Sequence, residues 1–215
     1  MASPREHGQQ PVEEAAGDQQ EYTTVLTDPV NFNVKHPLFS SWTLWYDHGG
    51  KRLTSAQSWE QNLKELITFD TVEDFWGVYN NIAKANELQS GANYHLFKKG
   101  IRPMWEDTAN ARGGKWVFQL QKQRGADIND YWLYTMLACI GESFEYEDEI
   151  CGAVVSLRKG FSRLALWTRS CGPREMTEHI GRQFKGLVGL NMQIEFQPHS
   201  DASKSGAHGK DKYVV

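Results

Sequence analysis

The chain has 215 residues, 40% hydrophobic and 23% charged. That is enough for one sizeable core, whereas two compact domains would each be small. Its 27 acidic and 23 basic side chains leave a formal net charge of −4, which excludes a global cationic field that gathers long nucleic acid by counterion release. Any nucleic-acid contact has to be local.

The three cysteines, Cys139, Cys151 and Cys171, form no CxxC pair and leave an odd one over, against a disulfide framework or a structural zinc site. A reduced cytosolic or nuclear compartment fits. The amino terminus, "MASPREHGQQPVEEAAGDQQ", has no apolar signal core, and no run of about 18 apolar residues offers a bilayer span. A soluble protein without a membrane partner is expected.

Residues 1 to 33 are rich in Gln, Glu, Gly and Ala with few large apolar groups. Burial cannot offset the ordering entropy of such a segment, and a disordered tail is expected, followed by a single domain over residues 34 to 215. In "SWTLWYD" Trp42, Leu44 and Tyr46 share one face of a strand, and Thr43 and Trp45 the other. A helix follows over "DTVEDFWGVYNNIAKAN", with Asp70 as N-cap, Glu73 completing a capping box, and a stripe of Val72, Phe75, Trp76, Tyr79 and Ile82.

Further strands are expected in "ANYHLFKKG" and "KWVFQLQK", then a helix over "INDYWLYTMLACIG" that ends at Gly141. That helix has almost no polar side, which means either burial all round or a second apolar face that waits for a partner. Strands "CGAVVSLR" and "SRLALWTR" come next. The helix "GPREMTEHIGRQFKGLVG" has Pro173 in its first turn, a stripe of Met176, Ile180, Phe184 and Leu187, and Gly189 at its end. Last come the strand "MQIEFQP", a polar stretch over residues 199 to 212 that reads as a mobile loop, and the closing "YVV". Short strands with three interspersed helices predict an α+β fold, a largely antiparallel sheet with helices on one face and the other free for a ligand.

The chemistry is that of binding. The seven histidines show no HExxH or HxxxH spacing, so no metal site or cofactor is expected. "ARGGKW" lacks the spacer and hydroxyl of a phosphate loop and reads as a Gly-Gly turn, and the acidic run "GESFEYEDE" as a solvated surface. No nucleophile has a recognisable base, so catalysis is not expected. The loop "GIRPMWEDTANARGGKW", in contrast, sets an indole beside two carboxylates and a basic residue shortly after. A purine carrying positive charge would want this combination: indole faces to stack on, a carboxylate at its donor edge, and Lys or Arg for attached phosphates.

Six segments, "HPLFSSWTLWY", "FDTVEDFWGVYNNI", "YHLFKKGIRPMWEDTANARGGKW", "YWLYTMLACIGESF", "EICGAVVSLRKG" and "LALWTR", follow one another in the order and spacing of the eukaryotic translation initiation factor 4E family. The chain resembles that family, which binds the mRNA 5′ cap, from Val34 to Val215. The resemblance implies an α+β fold: a curved eight-stranded antiparallel sheet backed by three long helices on its convex face. It implies that 7-methylguanine stacks between Trp59 and Trp105, that Glu106 accepts from the base N1 and N2 donors, that the main-chain N–H of Trp105 meets O6, and that Trp167 lies against the N7 methyl group.

For the triphosphate it implies Arg158, Lys115 and Arg163, with Arg112 nearby. Lys115 stands where many members have arginine, a point charge in place of a bidentate fork. On the convex face, His36, Pro37, Val72, Trp76, Leu133, Leu137 and Gly141 match positions that receive a Tyr-x-x-x-x-Leu-apolar helix, carried by the scaffold factor 4G and by competing translational repressors. Tyr134 departs there from the charged residue of many members. Ser205 matches a serine that some members phosphorylate.

Of the eight tryptophans, Trp42, Trp45, Trp116 and Trp132 are assigned to packing, Trp59, Trp76 and Trp105 to binding. Trp167 is left between the two. The expected function is a cytoplasmic cap-binding protein, with a nuclear presence left open, acting as a monomer or heterocomplex with capped mRNA. An enzyme acting on the cap, and an interaction module whose cap pocket no longer works, are the alternatives.

Overall fold

The computed structural model describes residues 22–48, 60–121, 127–202 and 213–215. The chain divides into two compact units, Met1–Lys35 and His36–Val215. Of the first, residues 22 to 35 are described. They carry local hydrogen bonds where a disordered tail is expected from composition: Thr23 N–H donates to Asn33 Oδ1 at 2.8 Å, and Asp28 Oδ1 accepts from the N–H groups of Val30 and Asn31 at 2.9 and 3.0 Å. A polar segment with few large apolar groups can still close on its own turn chemistry.

The second unit holds one eight-stranded sheet in the order β2-β1-β3-β5-β6-β4-β7-β8. The strands are β1 (Pro37–Asp47), β2 (Lys64–Thr71), β3 (Asn93–Lys98), β4 (Gly114–Gln121), β5 (Ile150–Leu157), β6 (Phe161–Thr168), β7 (Glu195–Pro198) and β8 (Tyr213–Val214), and every recorded pairing is antiparallel. Three helices pack on one face, α1 (Val72–Asn81), α2 (Ile128–Ile140) and α3 (Arg174–Val188), while α4 (His199–Ala202) is a single turn after β7. The family's fold is therefore the observed one.

Strand alternation decides what each face carries. Trp42 and Leu44 of β1, Tyr94 and Leu96 of β3, Trp116 and Phe118 of β4 and Leu164 and Leu166 of β6 enter one core with Phe75, Trp132, Met136, Ile180 and Phe184 of the helices. The Trp116 indole ties sheet to helix, its Nε1 donating to the carbonyl of Thr177 at 3.0 Å. Trp45, assigned above to packing, is only half-buried, because alternation turns it to the open face. No helix among the described residues is long and apolar enough to cross a membrane, and no group of three His, Cys, Asp or Glu there could hold a metal ion.

Several boundaries differ from expectation for local reasons. Strand β2 was not among the strands read from alternation. At the sheet edge its residues Lys64 to Thr68 are all exposed, so no two-residue period marks it. Because Asp70 remains in β2, Thr71 caps α1 instead, its Oγ1 accepting from Asp74 N–H at 3.1 Å. Glu73 leaves the capping box to bind His36, accepting from its N–H at 2.8 Å and meeting Nδ1 at 2.6 Å. Pro173 is the N-cap of α3, one position before its first turn, and Gly189 closes that helix in the left-handed region at φ 69°. The buried stripe of α3 runs through Thr177, Ile180, Gly181, Phe184 and Val188, leaving Leu187 41% exposed.

Helix α2 is not buried all round. Trp132, Met136, Cys139 and Ile140 enter the core, Leu133 and Leu137 are half-buried and Tyr134 is exposed. Part of the segment read as a mobile loop, residues 199 to 212, is helix α4, while residues 203–212 lie outside the described residues and Ser205 with them.

Candidate functional site

The open face is ordered in rows by the strand register. One row runs Asp47, Asn93, Ser156, Arg163 and Gln119 across β1, β3, β5, β6 and β4. The row beside it runs Trp45, His95, Val154, Ala165 and Val117, and the third runs Thr43, Phe97, Gly152, Trp167 and Lys115. Polarity changes from row to row, so a ligand lying across them meets charge at one end and apolar surface at the other. A cleft of about 530 Å3 opens on these rows, walled by Pro103, Met104, Trp105 and Glu106 from the loop before β4.

That loop is built to hold its tryptophan outward. Asp107 accepts from the N–H of Arg102 at 3.0 Å and of Ala109 at 2.9 Å, and Asn110 Nδ2 donates to the carbonyls of Arg102 and Met104, both at 2.8 Å. Asn110 is fully buried and Trp105 is 44% exposed. Side chains facing inward fix the backbone, and the indole is left free for a ligand. The following glycines are not the turn expected from "ARGGKW". Gly113 ends the loop so close to β6 that a Cβ would stand 1.8 Å from the Thr168 carbonyl oxygen, and Gly114 begins β4 against the Phe196 ring.

Trp167 forms the apolar floor. It is 8% exposed and meets Phe97 edge-on at 5.4 Å and the His199 ring at 4.1 Å. His199 is itself 3% exposed. Burial, with a smaller contribution from the Lys115 charge, pushes its imidazole down to about 3, so the ring against Trp167 is neutral at ordinary pH. Protons accordingly favour the unfolded chain, whose histidine titrates near about 6.5. The cost is absent above that value and grows as pH falls through it toward 3. Between pH 7.5 and 5 His199 should cost about 2 kcal/mol of stability. Urea unfolding at both pH values should show His199→Phe losing less stability than wild type by about that amount.

Three cations line the cleft: Arg163 in the polar row, Arg158 just after β5, and Lys115 in the row of Trp167. Burial first, and the Arg163 charge second, lower both Lys115 and Arg158, while Asp47 opposes the shift on Arg158. The Arg163 charge thus acts on both other cations of the cleft. Arg163 has its Nε buried without a hydrogen bond among the described residues, and its guanidinium stands 5.6 Å from the Phe161 ring. An anion would relieve both conditions.

The cleft thus brings together Trp105, Glu106, Trp167, Arg158, Lys115 and Arg163. Arg112 is exposed and does not line it. Trp59 lies outside the described residues, and Glu60, next in sequence, lines the cleft and receives Arg102 Nη1 at 2.6 Å. Asp47, Asn93, His95, Ser156 and His199 were missed by sequence reading. The alternation that turns Trp45 outward also turns Asp47, and the same count along "NYH" was the available signal for Asn93 and His95.

On the helix-covered face, Val72 and Trp76 are 38% and 36% exposed and Tyr134 is 47% exposed. Pro37 and Gly141 are also exposed, with Leu133 and Leu137 half-buried. Exposed aromatic and aliphatic groups on neighbouring helices form a surface of the kind that receives an amphipathic helix.

Residues 37–214 match the family model described as Eukaryotic initiation factor 4E. The chain is 46% identical over 187 residues to the human eukaryotic translation initiation factor 4E, covering 85% of this chain and 84% of the human protein. It is similar in structure to Ascaris suum eIF4E-3 in complex with the m2,2,7G cap, with TM-score 0.76 and 39% identity over 85% of this chain and 99% of the other. It is likewise similar to C. elegans eIF4E-3 in complex with the 4E-binding protein Mextli and cap analog, with TM-score 0.76 and 38% identity over 85% of this chain and all (100%) of the other. A family match across nearly the whole second unit, joined to this identity over most of both chains, means that the chain belongs to the eukaryotic initiation factor 4E family.

Proposed function

We propose that this protein binds the 7-methylguanosine triphosphate cap of mRNA in the open-face cleft and brings the mRNA to the translation machinery through a scaffold protein held on the helix-covered face. The observation that carries the reading is the combination lining one cleft: the exposed Trp105 indole with Glu106 beside it, Trp167 as floor, and the cations Lys115, Arg158 and Arg163. Methylation at N7 makes guanine cationic, and both an indole face and a carboxylate prefer it to the neutral base. Trp105 and Trp59 stack the base, Glu106 accepts from N1 and N2, the Trp105 N–H meets O6, and Trp167 lies at the methyl group. The three cations take the phosphates. This is a binding protein without turnover.

The solved relatives with a cap or with Mextli are similar to this chain over 85% of its length, which supports both halves of the reading. His36, Pro37, Val72, Trp76, Leu133, Leu137 and Gly141 receive the Tyr-x-x-x-x-Leu-apolar helix of a 4G scaffold or of a competing repressor. Titrating intrinsic tryptophan fluorescence with 7-methyl-GTP and with GTP tests the cap half. Strong quenching by the methylated nucleotide alone is expected. Equal weak responses to both would overturn it.

A further inference from the structure

A carboxylate lies buried in the cleft close enough to Arg158 to act on its charge, where the charge of a triphosphate would make it unwelcome. Asp47 is 2% exposed and lines the cleft, as do Asn93 and Arg158. Its oxygens are occupied: Asn93 Nδ2 donates to Oδ1 at 2.8 Å and to Oδ2 at 3.0 Å, and His95 Nε2 meets Oδ2 at 2.6 Å. At its other end the Asn93 amide accepts, its Oδ1 taking Arg158 Nη1 at 3.1 Å. The same Nη1 donates to the Leu157 carbonyl at 2.8 Å.

The amide is an adapter between two charges of opposite sign. Were it flipped, its oxygen would face a carboxylate and its NH2 a guanidinium, two unfavourable contacts in place of two favourable ones. Asp47 therefore fixes which way Asn93 points, and Asn93 fixes Arg158. With Nη1 committed, Nε and Nη2 make no hydrogen bond among the described residues. The guanidinium is held ready for an anion and loses little freedom when one arrives.

We propose that Asp47 and Asn93 are positioning residues for phosphate recognition, acting through Arg158, and that they set how strongly affinity depends on the phosphates without touching recognition of the base. The inference rests on the reading of the cleft as a cap site. Burial and the Arg163 charge both disfavour the Arg158 guanidinium, which makes a loosely held Arg158 a poor ligand. Asp47 supplies the opposing charge, and the amide keeps it from standing bare before the phosphates.

The test measures affinity for 7-methylguanosine, which has no phosphate, and for 7-methyl-GTP in wild type, Asn93→Ala, Asp47→Asn, Arg158→Met and the Asn93→Ala/Arg158→Met double variant. Asn93→Ala should weaken triphosphate binding about tenfold and leave the nucleoside unchanged. Asp47→Asn should weaken it in the same sense, and the double variant should be no worse than Arg158→Met alone. Equal loss on both ligands, no loss on the triphosphate, or full additivity with Arg158→Met would each overturn the proposal. Tighter triphosphate binding by Asp47→Asn would overturn the role of Asp47, leaving its carboxylate only a repulsive charge. Wild-type protein that binds neither ligand would instead overturn the reading of the cleft itself, and the two failures are separated by the wild-type measurement.

Discussion

Replacing Trp105 with alanine should lower affinity for 7-methyl-GTP about a hundredfold and leave the unfolding midpoint close to that of wild type. Stacking of a neutral base is worth about 1 to 3 kcal/mol by alanine substitution, and a cation over a desolvated indole about 2 kcal/mol or more. These overlap, so about 3 kcal/mol is the expected loss. The fold should not notice, because the indole is 44% exposed and the loop is held by Asp107 and Asn110. Glu106→Ala removes the acceptor at the donor edge of the base, and it should also narrow the preference for 7-methyl-GTP over GTP, since a carboxylate favours the cationic ring. Isothermal titration with both nucleotides decides the matter. Unchanged affinity in both variants would remove the cap assignment from this loop.

Read from residue types alone the site was legible where chemistry sits on contiguous residues, whereas Trp167 and Arg163, which a strand supplies, were reached only through the family resemblance. Trp105, Glu106 and Lys115 stand within one loop and the strand after it, so their types and spacing could be read directly. Asp47, Asn93 and Ser156 come from three strands and meet only through register, which no contiguous motif carries. His199 was read as part of a mobile loop because its neighbours are polar, yet its N–H donates to the Gly113 carbonyl at 3.0 Å and its ring packs on Trp167. Tertiary contact overrode composition there.

The fold shows the same division. The three helices on the core were evident from apolar spacing, whereas β2 was not, because at the sheet edge five of its first residues are exposed. The α1 cap moved from Asp70 to Thr71 for the same reason: the strand that the local pattern could not reveal extends into it. Helix α2 was ambiguous from periodicity, and the packing of one side into the core with Tyr134 outside is what a helix with a core face and a partner face needs.

Trp76→Ala should abolish most binding of a peptide carrying the Tyr-x-x-x-x-Leu-apolar motif, with an affinity loss of about a hundredfold. Trp76 is 36% exposed, and its ring is fixed at an angle by two neighbours, edge-on to Phe75 at 5.1 Å and to Tyr79 at 5.8 Å. A rigid aromatic group loses little entropy when a partner covers it, the property that makes tryptophan a frequent hot spot. Under the proposed assignment the peptide's leucine and apolar residue keep only Val72, 38% exposed, and the half-buried Leu133 and Leu137. Losing the edge contact with Phe75 costs the fold about 1 kcal/mol, so a modest fall in unfolding midpoint is expected alongside. Affinity for 7-methyl-GTP should not change, because Trp76 and the cleft are on opposite faces of the sheet. Fluorescence anisotropy of a labelled peptide, with 7-methyl-GTP titration on the same preparation, separates the two effects. Peptide affinity equal to wild type would place the partner elsewhere, whereas loss of both peptide and cap binding would mean that the variant had failed to fold.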